Sequence, residues 1–314
     1  MDEISKEIII NGFPYDPESG YLGIYNGYTS DQLELTERVI ERVLNTIIEH
    51  GIRKLYFGSP FLKSEDISFI ENVPFLTGVR IGLDGFDISP LAQCKNLEEI
   101  SIPFSYKGMI DFSDFTILKE LSINWRNKGT ETVFDCANLK DLYIFNYSGT
   151  SLLDFCKLQK LESLTLTDPK ILSLAGIDQL KKLKKLEIIG ARKLVNIDHI
   201  EECQMLNEIF IHGCKKIESL EPLMYLKNLK WLNLASLGKI ATIKFLAPLK
   251  QLEEFYMEDS TNVVDGDLRV LQELREKGSL KKVNFINRKH YSHTREQLGY
   301  KLPESVAALL KKKK

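Results

Sequence analysis

The chain has 314 residues, of which 43% are hydrophobic and 27% are charged, and this composition is ordinary for a folded globular protein. Its formal net charge of −2 lacks the strong positive potential of a typical nucleic-acid binder, so we expect no nucleic-acid partner. No segment approaches the roughly 18 apolar residues of a membrane span. Five cysteines without a CxxC pair indicate neither a disulfide framework nor a zinc knuckle, so we expect reduced thiols.

Residues 1–51 are predicted to form an N-terminal cap. Residues 7–11 have the pattern of a strand, and residues 29–50 that of a helix. Thr29, Ser30 and Asp31 offer N-cap oxygens, and Gly51 suits a left-handed C-terminal position. The first residues carry acids where a signal peptide would be basic, so we expect the chain to stay in the cytoplasm.

A repeat of the form LxxLxL dominates residues 52–286. Eleven copies begin at residues 52, 76, 97, 118, 139, 161, 183, 206, 229, 252 and 280. The last two apolar residues of each copy alternate with polar ones, which is the period of a strand with one buried face. The position six residues before the first leucine is apolar in the central copies, as Leu91, Phe112, Val133, Phe155, Ile177, Ile200, Leu223 and Leu246. These columns predict a solenoid whose units pack on their neighbours.

Segments such as ISPLAQCKNLEEISI (88–102) and LEPLMYLKNLKWLNL (220–234) resemble bacterial leucine-rich repeats of the internalin type. The resemblance implies an α/β solenoid with a curved parallel sheet on its concave face, short helical or irregular segments on its convex face, and a protein-binding role. The family usually places asparagine eight residues after the first leucine. Here that position holds Ser105, Arg126, Tyr147, Pro169, Ala191, Cys214, Leu237 and Ser260. Other groups must therefore make the hydrogen bonds of the turns.

The C-terminal end is predicted to close the solenoid. The last spacing, 28 residues, leaves room for a helix over about residues 267–277, ending at Gly278. Residues 287–314 are predicted to be a cap or tail, with a short helix after Pro303 and four solvated terminal lysines.

Candidate catalytic groups have simpler structural explanations. Cys94, Cys136 and Cys203 lie three residues before a first leucine, in a column that leucine fills elsewhere, and so should be buried. Cys214 follows His212 on a strand and its turn, where the two side chains need not face each other. His290 and His293 lack further metal ligands nearby in sequence. No phosphate-binding loop, zinc-protease helix or nucleophile elbow is present. We predict no catalytic, cofactor or metal site.

The exposed strand positions are the predicted binding surface. From the third to the tenth repeat they hold seven acids and one lysine, together with large apolar side chains of the kind that form binding hot spots. The predicted protein-binding residues are Tyr143, Phe145, Glu187, Ile189, Glu208, Phe210, His212, Trp231, Asn233, Glu254, Tyr256 and Glu258.

The leading hypothesis is a monomeric, cytoplasmic, non-enzymatic module that binds a basic protein partner. Its most specific version, by analogy with stand-alone proteins of this type, is an immunity or inhibitor protein that occludes a basic toxin. An intracellular regulator or scaffold is the alternative. A targeting subunit of an enzyme is the third hypothesis, although the segments outside the repeats are too short for a catalytic domain.

Overall fold

The computed structural model describes residues 7–25, 32–58, 62–63 and 66–301. It divides into two compact units. Unit 1 comprises the residues up to 148 together with residues 154–167, and unit 2 comprises residues 149–153 together with those from 168 onwards. The tail predicted after Pro303 lies outside the described residues.

Unit 1 contains a sheet that begins with two antiparallel pairings and continues with parallel strands. Strands β1 (Ile8–Ile10), β2 (Phe13–Asp16) and β3 (Tyr21–Gly23) pair antiparallel in sequence order. The parallel strands that follow are β4 (Lys54–Phe57), β5 (Gly78–Ile81), β6 (Glu99–Ile102), β7 (Glu120–Asn124), β8 (Asp141–Phe145) and β9 (Ser163–Thr167). Strand β1 lies within residues 7–11, the segment predicted to be a strand, whereas β2 and β3 were not predicted.

Helix α1 spans Glu37–His50, so the prediction of a helix from residue 29 placed its start too early. Thr36 is the N-cap, and its hydroxyl accepts a hydrogen bond from the backbone N–H of Val39 at 3.4 Å. Just before it, Leu33 forms a parallel bridge with Leu62, which takes this part of the chain out of the helix. The cap oxygens predicted at Thr29, Ser30 and Asp31 lie outside the described residues. Gly51 ends the helix in the left-handed conformation, as predicted.

Unit 2 repeats the parallel pattern with β10 (Lys185–Ile189), β11 (Glu208–His212), β12 (Trp231–Ala235), β14 (Glu254–Glu258) and β16 (Lys282–Phe285). Two short strands, β13 (Lys239–Ile240) and β15 (Asn262–Val263), pair separately. Helix α2 spans Arg269–Glu276 and is followed by Gly278 with a φ of 82°. The helix predicted in the long last repeat is therefore confirmed.

The buried core lies between the strands and the short 3-10 helices that follow them along the chain. Every strand from an LxxLxL copy begins two residues after the first leucine, as the alternation predicted. The apolar residues six positions before that leucine lie in 3-10 helices and are fully buried. These helices are Ser68–Asn72, Ser89–Gln93, Phe112–Asp114, Thr130–Asp135, Leu153–Lys157, Ile177–Gln179, Ile200–Glu202, Glu221–Tyr225 and Lys244–Leu246.

A column of left-handed residues turns the chain away from the strands. The residue that follows each of six successive strands has a positive φ; these residues are Asn146, Asp168, Gly190, Gly213, Ser236 and Asp259. Glycine, asparagine and aspartate tolerate this conformation best, and they fill five of the six positions. These six repeats therefore leave their strands at the same point, which keeps the outward strand residues in register.

Candidate functional site

The outward side chains of unit 2 form the strand face, which we define as the first, third and fifth residues of β10, β11, β12 and β14. Ten of the twelve predicted binding residues lie on it. Tyr143 and Phe145 belong to β8 in unit 1. The strands are paired in register, with Phe210 beside Asn233 and Asn233 beside Tyr256. Positions on this face are thus fixed by backbone pairing and not by loops.

Three rings on neighbouring strands of the strand face contact one another. The ring centroids of Phe210 and Trp231 are 6.3 Å apart, and those of Trp231 and Tyr256 are 6.0 Å apart, with tilted planes. His212 stacks on Phe210 with centroids 5.9 Å apart and an interplanar angle of 29°. We call Phe210, Trp231 and Tyr256 the aromatic row. All three are partly exposed, so the row presents apolar surface to a partner.

Two side chains beside the aromatic row are more buried than the sequence predicted. Asn233, predicted as an exposed contact residue, is only 8% exposed, and the neighbouring Ala235 is 3% exposed. Both are short side chains on β12, flanked by longer ones on β11 and β14, and this difference in length buries them. The Asn233 amide Nδ2 donates to a carboxylate oxygen of Glu258 at 3.2 Å. Its Oδ1 is buried and has no hydrogen-bond partner among the described residues.

Several carboxylates surround the row, and Glu254 is paired with a lysine, Lys282, that lies outside the repeats in which the acids were counted. Glu254 accepts from Lys282 and from the Tyr256 hydroxyl, both at 2.7 Å. Burial opposes ionisation of Glu254, but these two hydrogen bonds and the positive charges of Lys282 and Lys281 together lower the pKa of the carboxyl. Glu187 lies 2.8 Å from Lys185 Nζ, and Asp259 lies 3.8 Å from His212 Nε2. The strand face itself carries four acids, Glu187, Glu208, Glu254 and Glu258, against Lys185, and two of these acids are paired with lysines.

An open cavity of about 600 Å³ lies next to Trp231. Glu187, Glu208 and Glu254 line it together with Lys185 and Lys230. Its lining suits an extended side chain with an apolar stem and a polar end, since Trp231 supplies the apolar surface and the carboxylates supply acceptors.

The outward residues of unit 1 form a second polar surface. The Tyr143 and Phe145 rings lie 4.5 Å apart, and the Tyr143 hydroxyl is 2.8 Å from Thr167 Oγ1. Three carboxylates, Glu99, Glu120 and Asp141, follow one another in register on β6 to β8. Their arrangement raises electrostatic repulsion across neighbouring strands.

Lys54 and Arg80 offset this repulsion at the β6 end of the series. Glu99 is buried and accepts from Lys54 at 3.1 Å and from Arg80 Nε at 2.6 Å. Burial, followed by the charges of Glu99 and Asp141, raises the pKa of Glu120. Lys54 and Arg80 lie outside the repeats in which the acids were counted, so the predicted charge balance omitted them.

Comparison with known proteins identifies the fold. No family model matches the sequence, and no curated protein sequence matches it either. Among solved structures, the internalin InlF from Listeria monocytogenes matches with a TM-score of 0.63 and 19% identity, over 90% of this chain and 85% of that one. The chain has the leucine-rich-repeat fold. The predicted solenoid class is thus confirmed, at an identity that supports the fold alone.

Two further Listeria monocytogenes structures match less well and support no argument. The functional domain of InlJ gives a TM-score of 0.43 and 16% identity, over 80% of this chain and 65% of that domain. InlC2 gives a TM-score of 0.47 and 16% identity, over 61% of this chain and 80% of that protein.

The leucine-rich repeats replace the usual asparagine ladder with two other sets of hydrogen bonds. Asn96, Asn138 and Asn228, each directly before a first leucine, donate to backbone carbonyls of the preceding repeat at 3.3, 2.6 and 2.8 Å. The thiols of Cys136 and Cys203 also reach carbonyls of the preceding repeat, both at 3.2 Å. The positions where the ladder would lie instead contribute to the core at Tyr147, Ala191, Cys214 and Leu237.

The candidate catalytic groups are not arranged for chemistry in the described repeats. Cys94, Cys136, Cys203 and Cys214 are buried, and Cys156 is exposed. His290 Nε2 lies 3.0 Å from the carbonyl of Val263, and His293 Nδ1 lies 2.9 Å from Ser292 Oγ. Within the described residues there is no cluster of three or more His, Cys, Asp or Glu side chains suited to a metal ion. No helix of this part of the chain is long and apolar enough to cross a bilayer.

Proposed function

We propose that this leucine-rich-repeat chain is a non-enzymatic protein-binding module and that the strand face of unit 2 is its contact surface. The observation that carries the proposal is the aromatic row, in which three rings contact one another on strands in fixed register. Clustered aromatic side chains on a rigid surface are typical of binding hot spots. Strand propensity alone accounts for single aromatic residues but gives no reason for a contiguous row.

The charge around the row favours a basic partner. Glu208 and Glu258 lie on the face itself, and Asp259 follows directly after β14. Exposed acids of this kind accelerate the approach of a basic surface more than they strengthen the final complex. An inhibitor or immunity protein that covers a basic toxin is the specific form we propose. A regulator or scaffold that uses the same face is the alternative.

We also propose that this interaction takes place in the cytoplasm. All five cysteines are unpaired. Unpaired thiols suit a reducing compartment, because oxidising compartments favour disulfides.

The experiment is affinity capture with three full-length baits: the unchanged chain, Trp231→Ala and Tyr225→Ala. Tyr225 is 54% exposed and lies in a 3-10 helix away from the strands, so its variant removes a comparable exposed ring from another surface. We expect one stoichiometric protein to bind the unchanged chain and Tyr225→Ala but not Trp231→Ala. Equal capture by all three baits would remove the strand face as the binding surface. An inhibitor additionally predicts loss of the captured partner's activity in the complex.

A further inference from the structure

The buried Oδ1 atom of Asn233 lacks a donor. The Asn233 Nδ2 donates to Glu258, and because an ionised carboxylate only accepts, this contact fixes which end of the amide is the oxygen. Nearly all buried polar atoms in folded proteins have a hydrogen-bond partner. An acceptor left without a described partner, on the surface proposed to bind a protein, points to a donor supplied by that protein.

The surroundings of Asn233 restrict the chemistry of that donor. Phe210 and Tyr256 stand on the two strands adjacent to β12, in register with Asn233 on either side. Those two strands are about 9.6 Å apart, twice the usual spacing, and the Trp231 ring contacts both rings, so a flat group has aromatic faces to lie against. The next outward residue is Ala235, whose methyl group rises less above the sheet than its neighbours His212 and Glu258. These two short side chains define a trough along β12, in which the Asn233 amide is closed off from solvent while Glu258 is bonded to it.

We propose that this trough binds the guanidinium group of an arginine side chain from the protein partner. This inference rests on the proposed function of the strand face. The guanidinium is planar and cationic, so it stacks against aromatic rings. It carries five donors in a fixed fork, enough to serve Asn233 Oδ1 and the Glu258 carboxylate together. Glu258 is partly exposed and moves aside as the arginine enters, exchanging its bond to Asn233 for a bond to the guanidinium.

Lysine and neutral side chains satisfy only part of this arrangement. A lysine ammonium is a compact point charge without a planar face, so it does not fill the space between two rings and reach both acceptors. Citrulline has nearly the shape of arginine but no charge, so it loses the attraction of Glu258 and of the ring faces. Selectivity for arginine over both is therefore the distinguishing property of the site.

The test uses nuclear magnetic resonance on the full-length chain and three blocked tripeptides, Gly-Arg-Gly, Gly-Lys-Gly and Gly-citrulline-Gly. The chain has two tryptophans, so the indole N–H of Trp231 reports on the trough and that of Trp125, in unit 1, serves as the internal reference. We expect the arginine peptide to shift the Trp231 signal saturably, with affinity at least about fivefold higher than that of the lysine peptide. The citrulline peptide should give no saturable shift. Equal affinity for the arginine and lysine peptides would overturn the proposal.

A matched pair of variants tests the role of the amide oxygen. Asn233→Ala should weaken arginine binding by about tenfold, since the guanidinium loses a buried acceptor. Asn284→Ala makes the same change in the same column, but the Asn284 Oδ1 already accepts from Arg295 Nη1 at 3.1 Å, so arginine binding should not change. If Asn233→Ala does not fold, Glu258→Gln takes its place. This variant should weaken binding of the arginine peptide more than binding of the lysine peptide. Unchanged arginine affinity in the folded variant would overturn the proposal.

The outcome is separable from that of the proposed function. A partner captured in a Trp231-dependent manner, together with no arginine selectivity, rejects the arginine site and keeps the binding face. Arginine selectivity that depends on Asn233, without a Trp231-dependent partner, keeps the site and rejects the proposed function.

Discussion

At the scale of single residues, the cysteines show how a reactive side chain is made inert by its position. Burial raises the pKa of Cys94 to about 11 and those of Cys136, Cys203 and Cys214 to about 12. The thiolate is the reactive form, and at neutral pH these groups remain thiols. Their spacing before each first leucine predicted the burial of Cys94, Cys136 and Cys203, while no sequence pattern predicted the exposure of Cys156.

A thiol titration of the native chain at pH 8 should therefore find one rapidly reacting group, Cys156. The four buried thiols should react only after unfolding, because they are both inaccessible and protonated. Cys156→Ser should abolish the rapid phase. Labelling of Cys203 as fast as Cys156 would contradict its place in the core.

Glu120, in the carboxylate series of unit 1, makes the stability of the chain depend on pH. The folded-state pKa of Glu120 lies above its usual value, so the folded chain binds this proton more tightly than the unfolded chain. Deprotonating Glu120 therefore costs stability as the pH rises above about 4.5, near the pKa of an ordinary glutamate.

Glu120→Gln should accordingly raise the melting temperature at pH 7, because it removes the central charge between Glu99 and Asp141. Below about pH 4, where the wild-type carboxyl is protonated, the two chains should melt alike. A variant that is less stable than the unchanged chain at pH 7 would show that Glu120 makes a favourable ionic contact instead. Thermal unfolding followed by circular dichroism at both pH values decides between them.

At the scale of elements, strands were predictable and the first helix boundary was not. An LxxLxL copy specifies its strand because two inward apolar residues at alternating positions can be buried only in one register. The start of α1 depends on a distant pairing instead: the backbone of Leu33 bridges Leu62, and no local pattern reveals it. The β2–β3 hairpin was missed because its residues lack the repeat.

Each repeat depends on its neighbours for burial, so a cavity in one inward column should weaken the whole unit. Leu186 on β10 is fully buried. Leu186→Ala should lower the free energy of unfolding by about 2–5 kcal/mol, from the lost apolar contacts and the cavity left behind. Glu187→Ala, which changes the adjacent outward residue, should alter it by less than about 0.5 kcal/mol. Denaturant unfolding measures both, and equal stabilities of the two variants would mean that the strand register is wrong.

At the scale of the whole molecule, the sequence predicted the surface but not its detailed electrostatics. The outward columns could be read from the repeat, and the aromatic row follows from them. The pairing of Glu254 with Lys282 and of Glu99 with Lys54 was missed, because both lysines lie in the outward columns but just outside the repeats in which the acids were counted. The burial of Asn233 depends on the lengths of side chains on both neighbouring strands, which a single column does not show.

Once a partner is known, the rings and the acids should affect different steps of binding. Trp231→Ala should cost about 2 kcal/mol or more of binding free energy, mainly through faster dissociation. Replacing Glu208 and Glu258 by glutamine should slow association and reduce its salt dependence, since exposed charges act through long-range attraction. Binding kinetics at low and high salt separate the two effects. Identical kinetics in all variants would move the interface to the turns or the caps.

The constant register of unit 2 has a consequence for how such a surface changes in length. Lys185 pairs with Glu208, Glu208 with Trp231 and Trp231 with Glu254, so the sheet advances by one strand every 23 residues. Removing residues 208–230 would join Asn207 to Trp231 and set β12 beside β10 with every inward leucine still facing inward. Loss or gain of one whole repeat should keep the inward positions inward, whereas a deletion that removes one residue from within a strand should exchange the inward and outward positions of the rest of that strand. The surface available to a partner therefore changes in steps of one repeat. Duplicating or deleting complete repeats would match it to a partner of different length.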